Sequence, residues 1–229
     1  MAYIGYIMYG TRILFLEDDL LYQESIKEFL EEEHFDVDTC KDGEDFFLKT
    51  YNNIYDLYLL DINVPHINGF EILKILTEHN DQTMRLVLSS KPDSCIRSFK
   101  NGCDGYLNKT ADLDELLLRI QALIKRSYRT YETFIPLSST LQYNIFEKKL
   151  YQNNQVLEIE HQAIMVLDYL IKKREQFVHP SELELNTYPS NTDSKSDVLR
   201  YHIWSIRKTI GNALIESQKN RGYRLKPSR

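Results

Sequence analysis

The strongest constraint on the fold is a regular alternation of short apolar segments with amphipathic segments in the first half of the chain. The apolar segments are residues 12–16, 35–40, 55–60, 85–90 and 105–109. The central ones are apolar without alternation, which is typical of parallel strands covered by helices on both faces. Between them, apolar residues such as Ile26, Phe29 and Leu30 recur at helical spacing. The pattern predicts an α/β domain with a doubly wound, five-stranded parallel sheet.

Polar side chains stand where these apolar segments end. The stretch "DLYLLDINVPHING" (56–69) runs through a core strand into Asp61, although burying a carboxylate is costly without a partner. The first, fourth and fifth strands also end in polar residues, namely Glu17, Asp18, Asp19, Ser89 and Lys109. Because the carboxyl ends of parallel strands share one edge, where sites form, we expect these side chains to converge.

A convergent group of carboxylates would repel itself unless a cation were present. Mg²⁺, or Mn²⁺ in its place, prefers oxygen ligands and would relieve the repulsion. With a lysine and a serine alongside, the set is suited to moving a phosphoryl group onto a carboxylate. Taken alone, Asp61 would be an ordinary turn residue, and we predict that Asp19 caps a helix rather than binding metal.

The second half of the chain has the opposite charge. Residues 1–126 carry 13 Lys and Arg against 23 Asp and Glu, a net charge of −10, whereas residues 194–229 carry 9 against 2, a net charge of +7. A basic end favours nucleic acid as a partner. We predict domains at residues 11–126 and 134–229, joined by a polar linker at residues 127–133.

Helices followed by a terminal hairpin in the second half indicate an α+β winged helix-turn-helix domain. Asn153-Asn154 signals one hairpin, and the second turns near Asn220–Gly222. In the helix predicted at 196–210, one stripe should face the core: Leu199, Ile203, Ile206 and Ile210. The opposite face carries Tyr201, Trp204, Ser205 and Lys208, flanked by Arg200 and Arg207, and the hairpin carries Lys219, Arg221 and Arg224. Exposed aromatic and basic groups suit a DNA major groove and its phosphates.

The motifs "ILFLEDD", "YLLDINVPHING", "LVLSS" and "GYLNK" resemble the receiver domain of two-component response regulators over residues 11–126. The resemblance implies a flavodoxin-like fold and a sensor histidine kinase as partner. It implies that Asp61 accepts the phosphoryl group, Lys109 contacts it, and Ser89 and Tyr106 form the switch. It also implies Mg²⁺ ligands from Glu17, Asp18, Asp61 and the Asn63 backbone carbonyl.

The chain departs from the receiver pattern at two places. Thr110 follows Lys109 where the family usually has a cis proline, so we expect a trans or strained bond, since non-proline cis bonds cost about 2.5–4 kcal/mol. Asp104-Gly105 replaces the family's Asp-Asp pair, so Arg119 lacks one acidic partner on the face through which active relatives dimerise.

The second half resembles the OmpR/PhoB-type effector domain from about Phe134 to Lys226. The motifs "HIWSIRKTIG" and "RGYRL" carry the likeness, with Arg207 and Lys208 matching the basic pair and Tyr223 the wing tyrosine. Trp204-Ser205 replaces the family's Arg-Arg, and neither residue reads guanine as a bidentate arginine does. We therefore expect a different preferred DNA sequence. The segment 186–194 reads as an exposed turn, with polymerase or DNA as its candidate contact.

These features predict a phosphorylation-switched transcription factor that binds promoter DNA as a homodimer on tandem half-sites. RNA polymerase is a further candidate partner, and no enzyme activity is expected beyond the receiver's own phosphorylation and dephosphorylation. Three alternatives stay open: an orphan regulator that binds DNA without phosphorylation, a Mg²⁺-dependent phosphohydrolase, and a receiver that regulates a protein partner. The phosphohydrolase would need a carboxylate where Asn63 stands.

The remaining sequence features favour a cytoplasmic protein. No apolar run approaches the length of a membrane span. Residues 1–10 lack the basic start of a signal peptide and read as a short extension. Three cysteines without a CxxC pair argue against disulfides and a zinc site.

Overall fold

A computed structural model describes residues 10–91, 93–188 and 195–226, with the side chains of residues 195 and 196 excepted. The extension at residues 1–9 and most of the turn expected at residues 186–194 lie outside the described residues. In the first half the strands are Arg12–Leu16 (β1), Asp36–Cys40 (β2), Leu57–Asp61 (β3), Met84–Ser89 (β4) and Gly105–Asn108 (β5). The helices are Leu20–Glu32 (α1), Gly43–Asn52 (α2), Gly69–Glu78 (α3), Ser94–Lys100 (α4) and Leu113–Ser127 (α5).

The five strands form one parallel sheet in the order β2-β1-β3-β4-β5. All five residues of β3 are buried, and apolar side chains pack on both faces of the sheet in two separate clusters. This arrangement explains the unbroken apolar runs, because neither face of the central strands meets water. The doubly wound α/β fold predicted from the alternation is confirmed, and so is the flavodoxin-like fold that the resemblance implied.

Local capping fixes the helices that begin beside the acidic edge. Asp19 caps α1, as predicted, by accepting hydrogen bonds from the backbone amides of Leu21 and Tyr22. Asn68 and Glu71 form a reciprocal capping box at the start of α3. Gly69 allows this helix to start against β3, because a Cβ there would lie 2.5 Å from the Asp61 carbonyl oxygen. The loop that follows Asp61 is thereby held close to the sheet edge.

Within its described residues, the second half contains two antiparallel sheets and three helices. The strands are Phe134–Pro136 (β6), Leu141–Asn144 (β7), Lys149–Gln152 (β8), Gln155–Leu157 (β9), Ile215–Gln218 (β10) and Gly222–Leu225 (β11). The helices are His161–Lys172 (α6), Pro180–Thr187 (α7) and Lys195–Ile210 (α8). Both predicted hairpins are present, between β8 and β9 and between β10 and β11. Asn153 and Asn154 have φ of 50° and 65°, the left-handed values that a tight hairpin turn requires.

The predicted apolar stripe of α8 faces the core. Leu199, Ile203 and Ile206 are buried, and Ile210 is half-buried against them. One apolar cluster extends from the first half into the second half and includes the fully buried Tyr128 that follows α5. Among the described residues, none of the helices combines the length and the apolarity needed to cross a bilayer.

Candidate functional site

The acidic edge of the sheet brings together three of the side chains singled out from the sequence. The Lys109 ammonium lies 2.6 Å from Glu17 Oε2 and donates a hydrogen bond to Asp61 Oδ2 at 2.8 Å. Asp61 Oδ1 accepts a second hydrogen bond, from the Asn63 amide at 3.0 Å. Glu17 is fully buried and Asp61 nearly so. Asp61, at the end of a core strand, therefore has the partner that burial demands.

The charged groups at this edge shift one another's pKa values. Burial raises the pKa of Glu17 above its usual value, with Lys109 opposing the shift and Asp61 adding to it. Burial would lower the pKa of Lys109, but its hydrogen bond to Asp61 and its ion pair with Glu17 prevail and hold that pKa above the usual value. The lysine therefore stays charged beside two carboxylates, as an anionic ligand at this edge would require.

The carboxylates of Glu17, Asp18 and Asp61 also fit a hard cation. One oxygen of each lies within 4.8 Å of the others, and Asp18 is exposed, so the group is open to solvent on one side. Glu17 Oε2 is buried and accepts no well-formed hydrogen bond, despite the nearby ammonium. An all-oxygen donor set with an open side and an under-coordinated carboxylate suits Mg²⁺ or Mn²⁺.

The hydroxyl groups predicted to form a switch are linked through a residue that sequence reasoning missed. Ser89 is fully buried, and its Oγ accepts hydrogen bonds from the Lys91 amide and from the Ser94 hydroxyl, both at 3.2 Å. Ser94 Oγ lies 3.2 Å from the Tyr106 hydroxyl, which donates to the Lys91 carbonyl at 2.8 Å. A continuous hydroxyl chain therefore joins the edge of the site to the half-buried Tyr106.

Two further neighbours of the site were not singled out from the sequence. The Lys91 ammonium donates to the Asn63 side-chain oxygen at 2.9 Å, and the Lys109 ammonium lies 4.8 Å from the Tyr22 ring centroid. Lys91 sits two residues after the strand-end serine, and Tyr22 follows the helix cap. Neither position carries a sequence signal beyond its closeness to a strand end.

The residues predicted for a dimer face are engaged within the chain. The Asp104 carboxylate accepts a hydrogen bond from the Arg85 amide at 3.0 Å. Arg119 pairs with Glu115, one turn earlier on α5, at 2.6 Å. The described residues contain no cis peptide bond, so Lys109–Thr110 is trans, as the missing proline predicts.

The exposed face of α8 presents aromatic and basic groups together. Tyr201 and Trp204 are 52% and 56% exposed, and their ring centroids lie 6.0 Å apart. The Lys208 ammonium lies 5.2 Å from the Trp204 ring centroid, so this pair is preorganised on the helix surface. Ser205 is half-buried, and Arg200 pairs with Asp197 in the first turn of α8.

The terminal hairpin lies beside α8 and is hydrogen-bonded both to that helix and to the segment before α7. Arg207 donates to the Ile215 carbonyl at 3.0 Å, which ties α8 to β10. Tyr223 exchanges backbone hydrogen bonds with Val178, at 2.8 and 3.0 Å. A groove of about 470 Å³ separates hairpin and helix, with Lys219 and Arg200 among its lining residues.

Other basic groups of the hairpin are held by neighbours. The Arg221 and Arg224 guanidinium groups each lie 4.4 Å from the Phe177 ring centroid. Arg224 also pairs with Glu216 at 2.6 Å. Lys219 is exposed, so of these side chains it projects most freely from the wing.

Two family models match the chain, the response regulator receiver domain over residues 13–121 and the C-terminal domain of transcriptional regulatory proteins over residues 154–225. Together with the fold, they define the class as a receiver joined to a DNA-binding domain. The chain belongs to the DNA-binding response regulators of two-component systems, of the OmpR/PhoB type. A histidine kinase and promoter DNA are the partners that these two domains imply.

Curated relatives match over nearly the whole length. The regulatory protein VanRB of Enterococcus faecalis is 28% identical over 96% of this chain and 99% of its own. The transcriptional regulatory protein CiaR of Streptococcus pneumoniae is 28% identical over 94% and 98%.

Solved structures also match. The Francisella response regulator 1452 receiver domain covers 52% of this chain and 99% of its own, at 32% identity and a TM-score of 0.49. DrrB of Thermotoga maritima, described as an OmpR/PhoB homolog, covers 95% and 100%, at 20% identity and a TM-score of 0.47.

Proposed function

We propose that this response regulator accepts a phosphoryl group on Asp61 and thereby controls its own dimerisation and promoter binding. In this proposal residues 11–126 are the receiver, 127–133 the linker and 134–229 the DNA-binding domain. The observation that carries the proposal is the Lys109 ammonium, 2.8 Å from Asp61 and 2.6 Å from Glu17 at the carboxyl edge of the sheet.

The chemistry follows from the positions of these groups. An Asp61 oxygen attacks the phosphorus of a kinase phosphohistidine, so a P–O bond forms as the P–N bond breaks and the imidazole leaves. Lys109 moves from the carboxylate toward the phosphoryl oxygens and offsets their charge. Mg²⁺ or Mn²⁺, held by Glu17, Asp18, Asp61 and the Asn63 carbonyl, would supply further positive charge at those oxygens. Water later hydrolyses the acyl phosphate. Both reactions take place on the receiver's own aspartate.

The switch and the DNA interface complete the proposal. Ser89 turns toward the new phosphoryl oxygens, the hydroxyl chain through Ser94 rearranges, and Tyr106 moves with it. The face around Asp104 and Arg119 then pairs with a second copy in the cytoplasm, and the two domains bind tandem half-sites. DNA contacts come from α8 and the wing, and RNA polymerase is a further partner. The proposed contact residues are Arg200, Tyr201, Trp204, Ser205, Arg207, Lys208, Lys219, Arg221 and Tyr223.

The deciding experiment is selection of fragmented genomic DNA by the purified chain, with and without beryllofluoride as a phosphoryl mimic. We expect a repeated motif to be enriched only with the mimic. Equal enrichment in both samples would support the second candidate, an orphan regulator. That candidate is favoured by the dimer-face residues, since Asp104 and Arg119 already have partners within the chain.

The metal assignment predicts a loss of affinity in a Glu17→Gln variant. Removing one of three carboxylates should weaken Mg²⁺ binding by at least about tenfold, because the ligand set loses a charge that no neighbour replaces. Isothermal titration calorimetry measures the affinity directly. Glu24→Gln, an exposed change on α1, should bind Mg²⁺ like the wild type. Unchanged affinity in Glu17→Gln would remove Glu17 from the ligand set.

The DNA assignment predicts a salt-dependent effect for Lys208→Ala. If the ammonium contacts a phosphate, affinity should fall similarly for all DNA sequences, and the slope of log affinity against log salt should fall by about 1. Fluorescence anisotropy at several salt concentrations gives the slope. Lys74→Ala changes the same charge on an exposed receiver helix and serves as control. Equal slopes in both variants would exclude the contact.

A further inference from the structure

A buried charge cluster joins the two halves of the chain at the edge of the sheet opposite Asp61. Asp56 directly precedes β3, is buried, and accepts a hydrogen bond from the Arg12 amide at 2.9 Å. Its other contacts come from the second half: Lys148 at 2.7 Å and Lys172 at 2.8 Å. Lys148 lies in the turn between β7 and β8, and Lys172 is the last residue of α6. One receiver carboxylate therefore holds two lysines of the DNA-binding half.

A second carboxylate completes this cluster. Asp168 pairs with Lys172 at 3.0 Å and accepts hydrogen bonds from the hydroxyls of Tyr128 and Tyr143. Two carboxylates thus balance two lysines. Burial would raise the pKa of Asp56, but the two lysines prevail and hold that pKa below its usual value. Losing one partner would leave an uncompensated buried charge, which is strongly unfavourable.

Other contacts reinforce the same junction. Thr11 donates from both its amide and its hydroxyl to the Phe146 carbonyl, at 2.9 and 3.2 Å. Arg174 donates to the Arg129 carbonyl at 2.9 Å. The shared apolar cluster runs alongside these bonds. The contacts fix the orientation of the DNA-binding half on the receiver.

This docking leaves the DNA face open. Tyr201 and Trp204 on α8 remain more than half exposed in the docked arrangement. A single docked chain can therefore present α8 to one half-site. What the docking restricts is the relation between the α8 helices of two chains.

Symmetry defines that restriction. Two receivers that pair through the same face are related by a twofold axis, and rigid docking would impose that axis on both α8 helices. Twofold-related helices suit half-sites that point in opposite directions. Tandem half-sites point in the same direction, which requires a translation between the two domains. A fully docked dimer cannot satisfy both relations.

We propose that Asp56, Lys148 and Lys172 form an interdomain latch that must open in at least one subunit before a dimer binds tandem half-sites. The inference rests on the tandem binding proposed above. With a latch of this kind, the orientation of the paired half-sites that a dimer binds depends on the junction as well as on the recognition helix.

The latch itself is tested without DNA. The Asp56→Asn/Lys148→Met variant removes one charge of each sign and keeps the Lys172–Asp168 pair and an acceptor for the Arg12 amide. Arg129 is exposed, and trypsin should cut after it about tenfold faster than in the wild type, since the junction opens more often. Lys149→Met/Glu175→Gln makes the same charge change at exposed positions and should be cut at the wild-type rate. Equal rates in both variants would overturn the latch.

Folding and symmetry need separate readouts. Far-ultraviolet circular dichroism of the double variant establishes that it folds, and Asp56→Asn alone, which leaves Lys148 unpaired, provides a second opened variant if it does not. The selected half-site is then placed twice in duplexes, as a direct or an inverted repeat. With beryllofluoride, which pairs the receivers, opened variants should gain affinity for the direct repeat over the inverted repeat, whereas a purely structural role would leave the ratio unchanged and refute the orientation claim. Failure to select any DNA would count against the proposed function, while the trypsin result would still decide the latch.

Discussion

An Asp61→Asn variant is expected to take up no phosphoryl group from acetyl phosphate. The amide cannot act as the nucleophile, whereas Lys109 and Glu17 remain in place to bind the donor. Intact-mass spectrometry after incubation with acetyl phosphate and Mg²⁺ should show the added mass in the wild type and none in the variant. The expected effect is a complete loss.

Asp19→Asn is the matched control for this experiment. It removes an exposed carboxylate at the same edge, and asparagine caps a helix as well as aspartate does. The control should be labelled like the wild type. Continued labelling of Asp61→Asn would mean that another carboxylate accepts the phosphoryl group, and the assignment of the site would be wrong.

A Gly222→Ala variant is expected to destabilise the DNA-binding half by about 3 kcal/mol. Gly222 has φ of 96°, and a Cβ there would lie 2.0 Å from the Val178 carbonyl oxygen. That oxygen accepts the Tyr223 amide, so the clash would separate the wing from the segment before α7. Urea denaturation followed by the fluorescence of Trp204, the single tryptophan, monitors the unfolding of this half.

Gly211→Ala separates the two causes of that loss. Gly211 has nearly the same φ, 94°, yet no atom lies within 4 Å of the position a Cβ would take. Only the backbone cost remains, about 1 kcal/mol. Equal losses in the two variants would show that close packing at the wing contributes nothing.

The parts of the fold that follow local rules were predictable. Apolar runs gave β1, β3 and β4 because a buried strand needs no polar alternation. The hairpins were predictable from Asn153-Asn154 and Asn220, since asparagine tolerates positive φ. The acidic edge was predictable because strand direction alone brings the strand ends together.

Contacts between distant segments were not predictable in this way. Asp56 stands in the same quoted stretch as Asp61, yet sequence alone gives no means of pairing it with Lys148 and Lys172. The sequence did not identify Ser94, because the role of this residue depends on how α4 lies against β5.

The position of Asp56 sets a rule for anyone who builds hybrid regulators from this chain. Joining its receiver to a foreign DNA-binding domain would keep Asp56 but replace both of its lysines. A carboxylate suited to a buried, doubly paired position would then face either solvent or an unmatched surface. Module exchange should therefore carry the β7–β8 turn and the end of α6 along with the receiver, or neutralise Asp56.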